Sequence, residues 1–307
     1  LFWMGRYIER AEHIARFMNV NYFSSLDAPN QLSQSRNFVL QSMLFMVGDP
    51  VSDTSKGLNE EAVLYDMGLN PEKPYSIISS IKLARENANS SRDLISTELY
   101  ESLNKFYHFV MNYPTDTYVK TNLYDFTMNI TEMTAVLRGK IRGTLLHDEV
   151  YAIIMMGVNI ERAIQVTRII NTKYNDALSA KGSYKDPIGN SFEWTTLLKC
   201  AESYDMMRRF YKKTPNGTST LEFLILNGKC PRSFMNCINQ VHKHILEIDK
   251  KVEYSQSSTA FLVGKVKAEF QFKQIDEILE DAQGSLDGIL NKMFKISESM
   301  EKEFFNY

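Results

Sequence analysis

Apolar residues recur every three or four positions from Leu1 to Tyr22. They are Leu1, Met4, Ile8, Ala11, Ala15, Met18 and Tyr22. This spacing puts them on one side of an α-helix, so it predicts a helix over residues 1–20. The same spacing predicts a second helix further along the chain, through Ile153, Met156, Ile160, Ala163, Ile170 and Tyr174.

Helical periodicity also covers most of the remaining chain. Further helices are predicted at about 35–47, 74–112, 121–150, 192–213, 232–253 and 258–304. Glycine and proline fall mostly between these stretches, in GDP (48–50), NPEKP (70–74), KTPNGT (213–218) and NGKCP (227–231). Alternating apolar runs with hairpin turns are scarce, so a sheet has little support. The predicted fold class is all-α.

The chain contains an internal duplication. Shifting the first 28 residues by 152 pairs 11 identical residues, where ordinary residue usage gives about two by chance. A second block repeats at a shift of 157, where 64–81 matches 221–238 at six positions, including Pro74 with Pro231 and Ser76 with Ser233. We therefore expect two pseudo-symmetric helical bundles packed together, spanning 1–150 and 151–307. The two Pro-x-Ser blocks are interpreted as helix caps.

Both copies of the first helix carry a Glu-Arg pair beside the apolar side. On a helical wheel Glu9 lies about 100° round from Ile8, on a strip it shares with Gly5, Glu12 and Arg16. The repeat places Gly157, Glu161 and Arg168 on the equivalent strip. Glycine inside a helix costs roughly 1 kcal/mol relative to alanine, so a duplicated glycine predicts close approach by another helix or by a ligand.

The residues leave the role of the Glu-Arg pairs open. In one interpretation Glu9 and Glu161 form a chemical site, where the carboxylate beside a guanidinium suits an amine or a carboxylate-bearing peptide and the arginine supplies a bidentate fork. The glutamate could also act as a general acid or base there. In the other, the glutamates neutralise buried arginines and only support the bundle.

Composition narrows the classes of partner. The 307 residues are 44% hydrophobic with a net charge of −2, which predicts a globular protein that binds neither nucleic acid nor an anionic membrane. The apolar run at 151–160 is shorter than the roughly 18 residues of a membrane span. Cys200, Cys230 and Cys237 have no CxxC spacing, so reduced thiols and a cytoplasmic location are expected. Because the chain begins inside a predicted helix, a preceding segment is also expected.

Several kinds of chemistry lack their residues in this sequence. There is no Glu-x-x-His for a di-iron bundle, no glycine-rich phosphate loop and no Gly-x-Ser-x-Gly elbow. His242 and His244 point to different sides of one helix, and Cys230 has no identifiable His partner. We therefore expect no metal and no cofactor.

The motifs resemble those of a known family. LFWMGRYIERAEHIARFM (1–18) resembles the opening of the bacterial alpha-E domain family, a helical family with a Glu-Arg motif that usually occurs as a tandem duplication. Residues 84–104 resemble its second signature, and 194–211 with 230–234 resemble its third, so the resemblance covers nearly the whole chain. At Val158 and Asn159 the family commonly has a basic residue, which makes the second copy the less charged one.

The resemblance implies a pathway and a set of site residues. Family members are associated with circularly permuted ATP-grasp amide ligases and transglutaminase-like cysteine peptidases, which implies a system that makes or modifies peptides. The family motif falls on Glu9, Arg10, Glu161 and Arg162, and the second signature adds Arg85, Glu86, Asn87, Arg92 and Asp93. Because Arg85, Asn89 and Arg92 share one helix face, we expect that face to meet Glu9.

Two hypotheses of function follow, besides a purely structural role for the pairs. The favoured one is an accessory protein that binds a peptide or docks the ATP-grasp ligase. The other is an enzyme of peptide or amide chemistry that uses Glu9 or Glu161. We favour the accessory role because no nucleophile, metal set or phosphate loop accompanies the glutamates.

Overall fold

The computed structural model describes residues 1–50, 57–118, 122–180, 191–248, 255, 256 and 258–305. Within these ranges the chain forms α-helices and no strand, which confirms the all-α prediction. The helices before residue 149 are α1 Phe2–Ser24, α2 Gln31–Gln34, α3 Arg36–Val47, α4 Glu60–Gly68, α5 Ile77–Ser90, α6 Thr97–Met111, α7 Thr115–Tyr118 and α8 Leu123–Thr144. The later ones are α9 Glu149–Ala180, α10 Ser191–Cys200, α11 Tyr204–Tyr211, α12 Gly217–Leu226, α13 Phe234–Ile248, α14 Thr259–Gln271, α15 Ile275–Leu279 and α16 Ala282–Phe304.

Several predicted helices are divided in the structure. The stretch predicted at 74–112 is α5 and α6, because the Ser96 side chain accepts a hydrogen bond from the Leu99 N–H and begins a new helix. The stretch at 192–213 breaks after α10, where Glu202 adopts a φ of 51°. Residues 258–304 form three helices, and α2, α4, α7 and α12 lie outside the predicted stretches. The predicted end at 249–253 lies outside the described residues.

Both Pro-x-Ser blocks cap helices, as predicted. The Ser76 hydroxyl accepts a hydrogen bond from the Ser79 N–H at the start of α5, and the Ser233 hydroxyl accepts one from the Asn236 N–H at the start of α13. Each hydroxyl satisfies a backbone donor that the first turn of a helix leaves unpaired.

The two helices that carry the Glu-Arg pairs lie at the centre of the fold. Helix α1 packs against α5, α8 and α9, and α9 packs against α13 and α16 as well. Helices α3 and α10 contact both of them. Because α1 and α9 are surrounded in this way, even their polar strips are buried.

Glycine allows α1 and α9 to approach closely. A Cβ atom at Gly5 would lie 2.5 Å from the carbonyl oxygen of Ile154, and one at Gly157 would lie closer still to the carbonyl oxygen of Phe2. The obstacle at both positions is backbone, which cannot rotate away as a side chain can. The predicted close approach at the two glycines is therefore confirmed, and the approaching element is the other helix.

We expect Gly157→Ala to lower the free energy of unfolding by about 1–3 kcal/mol, because the added methyl forces the two backbones apart. Gly139→Ala on α8 is the control, because a Cβ there meets nothing within 4 Å. Its expected effect is a gain of up to about 1 kcal/mol from helix propensity. Urea unfolding measures both, and equal effects of the two substitutions would contradict the close crossing.

Candidate functional site

The two Glu-Arg pairs exchange partners across the α1–α9 contact. Arg162 Nε donates to Glu9 Oε1 at 2.6 Å, and its Nη2 donates to Oε2 at 3.1 Å. Arg10 makes the same fork on Glu161, with distances of 2.7 and 3.1 Å. Each glutamate therefore binds the arginine of the other copy in the bidentate geometry that favours guanidinium and carboxylate.

Glu9 belongs to a larger group of polar and charged side chains, most of them buried, which we call the Glu9 cluster. Its members are Glu9, Glu12, His13, Arg16, Arg138, Arg162, Glu202 and Arg232. Arg232 donates two hydrogen bonds to Glu12, from Nη1 to Oε2 at 2.9 Å and from Nη2 to Oε1 at 3.2 Å. Arg16 Nε donates to Glu12 Oε1 at 2.9 Å. Helices α1, α8 and α9 and the segments before α11 and α13 therefore meet at one polar centre.

Glu161 has a smaller set of partners. Arg6 Nε donates to its Oε2 at 2.9 Å, and Gln165 Nε2 donates to its Oε1 at 2.8 Å. The other end of the Arg6 guanidinium donates to Ser297 Oγ on α16 at 2.6 Å. Within the described residues, Glu161 forms ion pairs with Arg6 and Arg10 of α1, and Arg6 also pairs with Glu301 of α16 at 4.0 Å. Fewer charged groups meet here than around Glu9, so this copy is the less charged of the two, as expected.

Pairing with arginine keeps both buried glutamates ionised. Glu9 is 1% exposed and Glu161 is fully buried. Burial alone would raise the pKa of each carboxyl group, but Arg138 and Arg162 around Glu9, and Arg10 and Arg6 around Glu161, hold both pKa values well below 4.5. A carboxylate with so low a pKa is a weak base near neutral pH and holds no proton to donate.

Glu9, Glu12 and His13 also place metal-ligand atoms near one another, within 4.8 Å. The carboxylate oxygens of this trio are already taken by guanidinium N–H groups from Arg16, Arg138, Arg162 and Arg232. Burial lowers the pKa of His13, whose Nδ1 lies 2.9 Å from the Glu9 carbonyl oxygen. The charges around the trio therefore suit arginine better than a divalent cation.

The second-signature residues lie elsewhere. Arg85 Nε donates to Asn104 Oδ1 at 2.6 Å and so joins α5 to α6. Arg92 follows α5, and its Nη1 donates to the Ile95 carbonyl at 3.2 Å within the connection to α6. Asn87 donates to the Leu83 carbonyl of its own helix, and Glu86 and Asp93 are exposed. The expected contact with Glu9 is wrong, because Ala84 and Ala88 occupy the buried face of α5.

Arg16 and Arg168 differ although they occupy equivalent positions. Arg16 lies at the rim of the Glu9 cluster with 18% of its side chain exposed. Arg168 makes no side-chain hydrogen bond or ion pair with the described residues, and burial lowers the pKa of its guanidinium. The difference arises because Ile164 stands where the first copy has Glu12.

Sequence reasoning missed five members of the Glu9 cluster as site residues: Glu12, His13, Arg138, Glu202 and Arg232. Arg232 lies in the 230–234 segment of the third signature, so that resemblance could have identified it. Arg138 had no local signal, because it becomes a partner of Glu9 only when α8 packs on α1.

A second buried ion group lies further along the same helix pair. Lys173 Nζ is 2.7 Å from Asp176 Oδ2, 3.0 Å from Glu193 Oε2 and 3.0 Å from Asn21 Oδ1. Burial alone would lower the pKa of Lys173, but the two carboxylates raise it more. Asn21 and Lys173 are related by the 152-residue shift, so this contact also joins equivalent positions.

The cysteines are poor nucleophiles. Cys200, Cys230 and Cys237 are all free and buried. Burial raises the pKa of Cys230, and it raises the pKa of each of the other two thiols to about 12. Little reactive thiolate is therefore present near neutral pH.

The fold and the site define an all-α protein whose two central helices are joined by buried, reciprocal Glu-Arg pairs. The chain matches the Alpha-E family model, described as a predicted α-helical domain with a conserved ER motif, over residues 1–305. The protein therefore belongs to the Alpha-E family. No curated protein and no solved structure matches the chain. Among the described helices, none combines the length and apolarity needed to cross a bilayer.

We expect Glu161→Gln to lower the free energy of unfolding by about 3–5 kcal/mol, because it leaves Arg6 and Arg10 buried without their carboxylate. Glu298→Gln is the control, because Glu298 forms an exposed i, i+4 pair with Lys302 and is expected to contribute at most about 0.5 kcal/mol. Urea unfolding at constant pH measures both. Similar losses of unfolding free energy in the two variants would contradict a role of Glu161 in stabilising the contact between α1 and α9.

We expect stability to fall steeply in acid. Glu9, Glu12 and Glu161 have lowered pKa values in the folded protein, so the unfolded chain binds more protons once the pH drops below about 5. Their contribution is complete above that pH and is lost progressively below it. Urea unfolding between about pH 7 and 3 measures the loss, which is expected to be smaller in Glu161→Gln. An unchanged pH dependence in that variant would contradict the assignment.

Proposed function

We propose that this protein is a non-catalytic accessory protein of a bacterial peptide synthesis or modification system. In this role it binds a peptide or docks the circularly permuted ATP-grasp ligase that the family resemblance associates with it, alongside a transglutaminase-like peptidase. The observation that carries the proposal is the state of Glu9 and Glu161. Both carboxylates are buried and paired with guanidinium groups, which supports a role in holding α1 and α9 together rather than a role in acid–base chemistry.

The proposal includes a tandem architecture with repeats at 1–150 and 151–307. Reciprocal contacts support it: Gly5 faces Ile154 as Gly157 faces Phe2, and Glu9 holds Arg162 as Glu161 holds Arg10. Such pairing, in which the same two positions meet in both directions, is the property of a twofold interface. In this proposal the Glu-Arg motif joins the two repeats into one rigid unit.

We also propose a cytoplasmic location. The support is that all three cysteines are free thiols, as expected in a reducing compartment. A peptide system that depends on an ATP-grasp ligase would draw its ATP from the same compartment.

The test is a reconstitution with the ATP-grasp ligase encoded in the same genome. Peptide-bond formation and ATP hydrolysis are measured for this protein alone, for the ligase alone and for the two together. We expect no turnover by this protein alone and faster product formation by the ligase when it is present. Turnover by this chain alone, or no effect on the ligase, would contradict the accessory role.

A further inference from the structure

A groove opens beside the Glu9 cluster, between α1 and α8. It has a volume of about 280 Å³, and the side chains that matter for its chemistry are those of Arg16, Asn19, Thr131, Glu132, Arg138 and Glu202. We call it the α1–α8 groove. Because Arg16 and Arg138 belong to the buried cluster and also line the groove, the polar centre reaches the surface here.

Both arginines have hydrogen-bond donors that the protein does not use. Arg138 is bonded to Glu9 only through Nη2, at 3.2 Å, whereas its Nε is buried with no partner. Arg16 bonds Glu12 through Nε and Nη2. Within the described residues, no hydrogen bond uses Nη1 of either side chain. An unpaired buried N–H is costly, so an acceptor in the groove would be bound favourably.

Charge around the groove also favours an anion. Among the described residues, the Glu9 cluster combines four arginines with three glutamates, and burial lowers the pKa of His13 and so favours its neutral form. One positive charge is therefore left over at the rim, where 18% of the Arg16 side chain and 25% of the Arg138 side chain are exposed. Each of these two arginines has a carboxylate partner, but the net positive charge of the cluster still attracts a carboxylate or another small anion.

Glu132 narrows the ligand to one that also carries a positive charge. It is exposed on α8 and makes no ion pair or hydrogen bond with the described part of the chain. A phosphate dianion would be repelled by it, whereas an ammonium group would be attracted. The six-residue rise from Glu132 to Arg138 is about 9 Å along the helix. Two extended peptide residues span about 7 Å, so the flexible side chains can reach both ends of a dipeptide.

We propose that the α1–α8 groove binds the free carboxylate of a short peptide, with Arg138 and Arg16 holding the carboxylate and Glu132 holding the terminal ammonium. The apolar side chains of Val20, Met128 and Ala135 line the same groove and suit small aliphatic residues. The volume is close to the lower limit of about 300 Å³ for small-molecule pockets, which fits one or two residues. This inference rests on the proposed function, since it names the ligand that such an accessory protein would hold.

The test is calorimetric titration of the purified full chain with Ala-Ala, with Ala-Ala amide and with inorganic phosphate. We expect Ala-Ala to bind saturably, and both amidation and Arg138→Gln to weaken it at least about tenfold, since a charge-assisted pair is lost. Arg142→Gln is the matched control, because Arg142 is exposed on the same helix outside the groove. It is expected to leave the affinity unchanged.

Arg138→Gln also removes a partner of Glu9, so a variant outside the cluster is needed. Glu132 makes no hydrogen bond or ion pair with the described members of the cluster, so Glu132→Gln is expected to keep the melting temperature while weakening Ala-Ala binding severalfold. N-acetyl-Ala-Ala lacks the ammonium group, so Glu132→Gln is expected to leave its affinity unchanged. Equal binding of acid and amide, tighter binding of phosphate, or no saturation by Ala-Ala would each overturn the groove assignment.

The titration with Ala-Ala and the reconstitution with the ligase test different claims, so one can fail without the other. Stimulation of the ligase without Ala-Ala binding would overturn only the groove assignment. Ala-Ala binding together with turnover by this chain alone would overturn only the accessory role.

Discussion

The structure depends on an exchange of charge between two buried helices. Glu9 on α1 holds Arg162 on α9, and Glu161 on α9 holds Arg10 on α1. Each charged group of a pair is buried, and burying it without its partner would be costly. Helices α1 and α9 must therefore meet in one register for either group to be buried. Glycines one turn earlier bring the backbones close enough for the forks to form. The surrounding helices then pack on a pair whose geometry is already determined.

This arrangement explains why so polar a strip lies at the centre of a hydrophobic fold. Helices α5, α8, α13 and α16 pack around α1 and α9, and the Glu-Arg pairs of these two helices face each other. Ion pairs do not by themselves make such a core more stable than an apolar one, but they reject alternative registers, because a shift would leave several charges without partners. Specificity of helix pairing is therefore the physical consequence of the motif.

The sequence pattern predicted those features of the structure that depend on residues close together in the chain. Apolar spacing predicted both central helices, and the Pro-x-Ser blocks predicted the caps at Ser76 and Ser233. The apolar spacing predicted one helix where the structure has α5 and α6, because the spacing continues through the break before Ser96. It also missed the turn at Glu202, where a residue other than glycine adopts the left-handed conformation. The partners of Glu9 could not be predicted in full, because Arg138 and Arg232 lie more than 120 residues away and nothing in their own neighbourhood indicates which helix they meet.

The short segment between Thr144 and Glu149 connects α8 to α9, the helix that packs against α1. Under the proposed duplication, the contact between α1 and α9 is one that two identical chains could also make, and the segment then acts as a tether that keeps the effective concentration of the second copy high. A tethered pair no longer has to be identical. One copy can exchange Glu12 and His13 for Ile164 and Gln165 while the other keeps its charges. Covalent linkage thus permits an asymmetric protein, with one open charged groove, to be built on a symmetric contact.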